Sequence, residues 1–234
     1  MAFYLRGALV EYLPAGPIAV ANVIVFQYNP ETMTHTWTQS DPEKAGPNQI
    51  LVDPLAVSGD PGESFSFTLF LDAADTIADE AAAATIAKAS GVYSRLAALE
   101  MLLFPSAATT SGLLGTVTAK IGSLSGASGA QERTVPANTL NTVLFVWGPG
   151  RIVPVRVTTL TVTERLYDSR TLSPTHAEAQ ITLRVLTAQE LLWDTDVLAR
   201  LARAANTYSQ GLRQTLAMAN SVNTADSVVG MLPI

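Results

Sequence analysis

The chain contains no cysteine, which excludes disulfides and thiolate metal sites. Its charged residues make up 15% of the sequence, where a globular chain usually has about a quarter. A chain so poor in charge covers itself badly with polar groups. Part of its apolar area is therefore expected to be buried against other subunits, the alternative being a single unusually apolar domain. Basic clusters are also missing. The net charge is −6, and Arg200 with Arg203 is too sparse a pair to attract a polyanion, so neither nucleic acid nor an anionic membrane is an expected partner. No run of about 18 apolar residues is present, so insertion into a membrane by a helix is not expected. The opening MAFYLRGALVEY has no basic start, long apolar run or small-residue cleavage site, and is not read as a signal peptide.

Catalytic material is scarce. The two histidines, His35 and His176, are read as structural, since one alternates with threonines on a predicted strand and the other precedes a strand. No HExxH, GxSxG or GxxxxGK[ST] segment occurs. Gly148-Pro149-Gly150 runs into a strand, whereas a phosphate-binding loop needs a helix N-terminus, so it is read as a hairpin turn. The acidic group Asp53, Asp60 and Glu63 lacks the dense spacing of a calcium loop and is read as solvated. These readings assign no catalytic residue, no metal and no cofactor: the chain is expected not to be an enzyme.

What is present is β pattern followed by helix. Phe3 to Tyr12 and the apolar Asn22 to Tyr28 read as strands, the second covered on both faces. Met33, His35 and Trp37 alternate with threonines, giving a third strand and a meander or hairpin pair. Asp41 to Gly62, rich in proline and glycine, reads as a long loop. Phe65, Phe67, Leu69 and Leu71 alternate with polar residues, while Phe70 interrupts the polar face and is a candidate subunit contact. Asp75 to Ser90 is alanine-rich and predicted helical, and Gly91 to Phe104 repeats Val92, Leu96, Leu99 and Leu103 at helical spacing until Pro105 stops it. The glycine- and serine-rich segment 106–138 is expected to be a mobile loop in the free subunit, ordering against a neighbour. Thr142 to Trp147, Arg151 to Tyr167 and His176 to Leu186 read as strands, with Pro154 suggesting an edge or a bulge. Ala188 to Ala219 closes the pattern as a long helix with a stripe of Leu191, Leu198, Leu201, Ala205, Tyr208, Leu212 and Leu216, opposite Arg200, Arg203, Gln210 and Arg213. The last residues, 221–234, carry no strong signal.

The expected fold is mainly β with helices (α+β), an antiparallel β-barrel or sandwich with a packed helix and a long C-terminal helix. Residues 1–187 form the β domain and 188–234 a helical extension. Phe70, Leu198, Leu201, Tyr208 and Leu212 are the candidate partner-interface residues. Trp37, Trp147 and Trp193, with Tyr28, leave open a different class, a ligand- or carbohydrate-binding β-domain, although strand tryptophans more often serve a core or a subunit contact.

The order of segments also carries a resemblance. Phe26-Gln27-Tyr28-Asn29-Pro30-Glu31 is followed by Phe65 to Asp72, then by the helix with Val92, Leu96 and Leu99 that leads to Pro105. Val143-Leu144-Phe145-Val146-Trp147-Gly148, Glu164 to Tyr167 and Pro174 to Leu186 complete it. Over roughly residues 1–187 this resembles the contractile injection system tube protein family, the tube–baseplate adaptors of phage-tail-like particles. The resemblance implies a tail-tube-like barrel assembled as a hexameric ring. It implies the inner tube protein, the spike or hub protein and baseplate wedge components as partners. It also implies a cytoplasmic protein assembled into the baseplate of an injection particle. Many members carry a C-terminal LysM module, where this sequence has a long helix. A bulk inner tube protein is the nearest alternative of the same fold.

Overall fold

The computed structural model describes residues 5–15, 18–39, 55–57, 59–78, 82–105, 140–193 and 197–231. The expected loop 106–138, most of the loop from Asp41 to Gly62, and Phe3 lie outside the described residues. The strands are β1 (Ala8–Ala15), β2 (Ile18–Val25), β3 (Met33–Thr38), β4 (Gly62–Asp72), β5 (Thr142–Val146), β6 (Ile152–Tyr167) and β7 (Pro174–Val185). They form one antiparallel sheet in the order β2-β1-β5-β6-β7-β4-β3. Helices α1 (Ala73–Ala78), α2 (Ala82–Ser90) and α3 (Tyr93–Met101) follow β4, and α4 (Val197–Met231) follows the last strand. The protein is thus α+β, mainly antiparallel sheet.

The alternating pattern of β4 and β7 is realised directly. Phe65, Phe67, Leu69 and Leu71 are buried, as are Ala177, Ala179, Ile181, Leu183 and Val185 on the paired strand. The sheet curls around these residues. Strands β4 and β5 stand three positions apart, about 14 Å on a flat sheet. Yet the Phe65 and Phe145 rings lie 5.3 Å apart, and Phe67 and Phe145 5.6 Å. Helix α3 packs into the concavity with Val92, Leu96, Leu99 and Leu102.

The connection from β2 to β3 joins the two outermost strands of the sheet, and it is the Phe26–Glu31 motif. Phe26 inserts its ring among Phe67, Phe145 and Trp147 at 5.6, 6.5 and 6.4 Å. Gln27 pairs with the end of β4 like an added strand residue, donating from Nε2 to the Asp72 carbonyl (2.8 Å) and accepting the Asp72 N–H at Oε1 (3.0 Å). Asn29 accepts the Gly7 N–H at 2.9 Å and donates to the Leu5 carbonyl at 2.9 Å. Three residues of this segment thus fasten the lead-in to β1, the end of β4 and the core together.

Several expectations are corrected. The sheet does not close: β2 and β3, at its two ends, are not paired, so one chain's described strands form a curled open sheet and not a barrel. The first three strands do not make a meander; β1 and β2 form a hairpin, while β3 crosses to the far edge beside β4. Strand β1 starts at Ala8, not Phe3, and β2 ends at Val25, so Tyr28 lies beyond it. Val23 and Val25 are exposed, so β2 is not covered on both faces. The segment Asp75 to Ser90 folds as two helices, and α3 buries Leu102 where Leu103 was expected, with Leu103 at the margin of the core.

Pro154 sits in the sheet interior, on neither an edge nor a bulge; the register shift falls between Val157 and Thr159. The proline is tolerated because its carbonyl, and hence its nitrogen, faces β7 just past that strand's end, where Leu186 donates to Pro154 at 2.9 Å. The C-terminal helix begins at Val197, not Ala188. Thr187 and Glu190 form a capping box, with the Thr187 N–H donating to Glu190 at 2.9 Å, and it opens a short 3-10 turn over Glu190–Trp193. The helix then continues through residues 221–231, where no signal was read.

Two substitutions test this architecture. Phe26→Ala removes a core aromatic at the clasp and is expected to cost about 3–5 kcal/mol in urea unfolding; an unchanged midpoint would contradict the clasp. Gly91 has a φ of +57°, and a Cβ there would overlap the Pro174 carbonyl oxygen. Gly91→Ala is therefore expected to lower the melting temperature more than Ala98→Gly on the same segment.

Candidate functional site

Helix α4 crosses one end of the sheet, over the start of β4 and the β5–β6 turn. Its buried residues are Ala199, Ala202, Ala205, Asn206 and Ser209. The Ser209 hydroxyl donates to the Ile152 carbonyl at 2.7 Å, and Tyr208 donates to the Pro149 carbonyl at 2.9 Å. The small side chains recur at helical spacing and bring the helix backbone close to the strands.

The leucine stripe is therefore not the face that meets the sheet. Leu191 and Ala205 are buried, but Leu201 is 41% exposed, Tyr208 51% and Leu216 62%, and Leu212 is half-buried. The side chain of Leu198 lies outside the described residues. The basic side is corrected too: Arg203 donates to the Leu191 carbonyl at 3.2 Å, and Arg213 reaches back to the sheet. Leu201, Tyr208 and Leu216 thus project outward and are left exposed among the described residues. From Gln214 to Asn220 every residue is exposed, because the helix has run past the sheet.

Arg213 ends in a cluster that the linear sequence hides, since its partner Glu63 is 150 positions away. Glu63 is 5% exposed and its Oε1 meets Arg213 at 2.5 Å and His35 Nε2 at 2.7 Å. The guanidinium of Arg213 lies 4.5 Å from the Trp37 ring centroid, and that of Arg151 lies 5.0 Å from Phe65. His35 stacks on Phe65 at 4.3 Å. Burial pushes the His35 pKa down, Glu63 pulls it back up, and Arg151 and Arg213 depress it further. A cleft of about 350 Å³ opens beside the cluster, lined by Trp37, Asp60, Glu63, Asn206, Gln210 and Arg213. Its aromatic face is already occupied by Arg213, and Trp147 packs against Phe26 and Phe145. Trp37 nonetheless remains 46% exposed beside this cleft. The Trp193 side chain lies outside the described residues.

At the opposite end of β4, Phe70 stands 45% exposed, in a shallow pocket with Tyr28, Arg165, Leu166 and His176. Hydrogen bonding to Asp75 raises the Tyr28 phenol to about 12. The nearby β6–β7 turn holds two leucines in the left-handed region, Leu166 at φ 54° and Leu172 at φ 55°, both strongly exposed. Asp168 ties this turn by accepting the Arg170 and Thr171 N–H groups at 2.9 Å each, which holds its carboxyl below the usual range.

A hydroxyl, an imidazole and a carboxylate line up here as well. Thr175 Oγ1 is 3.1 Å from His176 Nδ1, and His176 Nε2 is 3.0 Å from Asp72. The hydroxyl proton goes to the Leu166 carbonyl at 2.5 Å, so it is not handed to the imidazole as nucleophile activation requires.

Among the described residues no group of three or more His, Asp or Glu is placed to hold a metal ion, and no helix is long and apolar enough to cross a membrane. Asp53, one of the loop acids, lies outside the described residues. No protein-family model matches this chain, and no curated protein matches it.

The His35 arrangement fixes a pH response. A folded pKa below the ordinary value of about 6.5 means that the unfolded chain binds the proton more readily. The neutral imidazole's stabilisation is full above that ordinary value and is lost as pH falls through the folded value. Melting temperatures at pH 7.5 and 5.5 should therefore differ more for the native chain than for His35→Gln, which keeps a donor to Glu63 without a titrating ring. Equal differences would refute the assignment.

Proposed function

We propose that this chain is a non-enzymatic structural subunit, a tail-tube-like component that joins the inner tube of a contractile injection particle to its spike hub and baseplate. The observation that carries the reading is the curled open sheet with two unpaired edges, β2 and β3. Sheet edges offer rows of unmatched N–H and C=O groups, and a ring of identical subunits is one way to satisfy them. A hexameric ring would complete between neighbours the barrel that a single chain leaves open. The exposed side chains of Phe70, Leu201 and Tyr208 add apolar contact area in a chain poor in surface charge. The Phe26–Glu31 motif, which carries much of the resemblance to the tube proteins, is also the segment that spans the two sheet edges.

Sedimentation velocity and negative-stain imaging of the purified chain, alone and with the neighbouring tube and hub proteins, test this reading. Rings or co-assembly with those proteins are expected. Phe70→Glu and Leu201→Glu should keep the native melting temperature, since both side chains are exposed, yet reduce association by at least about tenfold, the factor set by a loss near 1.4 kcal/mol. A chain that stays monomeric with every such partner would sink the proposal. Stacked tubes formed by the chain alone would favour the bulk tube protein.

A further inference from the structure

The hydrophobic core of the described residues draws on the sheet, α3 and the Phe26 connection, and includes no residue of α4. This 35-residue helix is held differently. It meets the sheet through three alanine methyls, the amide of Asn206 and the hydroxyl of Ser209. Its fasteners to the sheet and the β5–β6 turn are polar and lie between Tyr208 and Arg213: the Tyr208 bond to Pro149, the Ser209 bonds to both backbone groups of Ile152, and the Arg213 pair with Glu63; nearer its start, Arg203 holds the Leu191 carbonyl of the preceding 3-10 turn.

We propose that α4 is a latched arm, which swings away from an intact sheet when Arg213 leaves Glu63. The latch is built so that release does not orphan the buried carboxylate. Glu63 Oε1 has two partners from two elements, Arg213 on α4 and His35 on β3. Strand pairing holds His35 beside the carboxylate, at the position facing Phe65, so it stays when the arm departs. An abandoned buried charge would make separation costly; a retained donor lowers that cost.

The departing arginine also has a route to solvent, being 36% exposed, and it leaves the open face of Trp37. The remaining charged groups at the latch are Arg151, at the start of β6, and Asp60, in the turn before β4. Arg151 is engaged with Phe65 and the Met33 sulfur, so it stays with the sheet. Once free, α4 presents its small-residue inner face together with its exposed outer leucines, a helix of about 50 Å at ~1.5 Å per residue. This inference does not depend on membership of an injection particle.

Amide hydrogen exchange on the full-length chain tests the latch. In the native protein, amides from Ala199 to Arg213 should exchange at least about tenfold faster than those of Ile181 and Leu183 in β7, because sub-global opening exposes the arm before the sheet. Arg213→Met should accelerate the α4 amides by a further factor of about ten and leave the β7 amides unchanged. The double variant Glu63→Gln with Arg213→Met should recover part of that protection, since the closed arm buries a neutral amide at less cost than a carboxylate left with His35 alone. Exchange of α4 and β7 in step in the native chain would overturn the proposal, and that comparison stands even if a variant fails to fold. An Arg213→Met chain with native α4 protection, or with both elements accelerated alike, would overturn it too.

Discussion

The clasp formed by Phe26, Gln27 and Asn29 is the constraint on which the rest of the fold depends. A seven-stranded sheet in this order would be about 29 Å wide if flat, and its hydrophobic face would lie open. The connection between the two outermost strands cannot run straight across that width and also place Phe26 among Phe67, Phe145 and Trp147. The sheet therefore curls until rings from strands three positions apart touch. Gln27 then fixes the end of β4 with two hydrogen bonds, and Arg95 of α3 donates to the same Gln27 oxygen at 3.1 Å. Core packing, edge position and helix placement meet in one short segment.

Helix α4 is attached by a different kind of force. A buried leucine or phenylalanine contributes roughly 1.5–3 kcal/mol, whereas an alanine methyl contributes about a third of that. The stabilisation of α4 on the sheet thus leans on directional polar contacts at its middle, with Ser209 and Glu63 both buried. The separation is physical: the strands, α3 and the clasp share one apolar interior, while α4 rests on its rim.

The sequence was legible where periodicity decides structure. The alternation in β4 and β7 has one solution, because a one-residue slip would place Phe65 and Leu183 in water. The turn at Gly148-Pro149-Gly150 was readable for a similar reason, since the glycine with φ +67° ends one strand and the next begins within four residues. Pairing was not legible: nothing in the β3 pattern of Met33, His35 and Trp37 tells whether it follows β2 or crosses to β4. The α4 stripe of large apolar residues does not mark the face that docks on the sheet. The face that docks is marked by Ala199, Ala202, Asn206 and Ser209, a small-residue spacing that periodicity alone also displays. The Glu63–Arg213–His35 cluster joins three distant elements and leaves no local trace.

The two uncovered apolar regions lie at opposite ends of β4. Glu63 marks the end crossed by α4, and Phe70 is seven residues on, about 23 Å at ~3.3 Å per residue. A chain that buried one region against a two-fold-related copy would leave the other in water. Burying both takes a second interface, either another isologous one, as in a dihedral assembly, or a heterologous one of the kind that generates rings and stacked layers. The free edges β2 and β3 add the same demand at right angles, since they flank the sheet laterally. In the proposed ring, the lateral edges would meet neighbours, and the Phe70 and α4 ends would meet layers above and below. The proposed tube subunit would need both directions at once, and a latched α4 would let one of those contacts be withheld until its partner arrives.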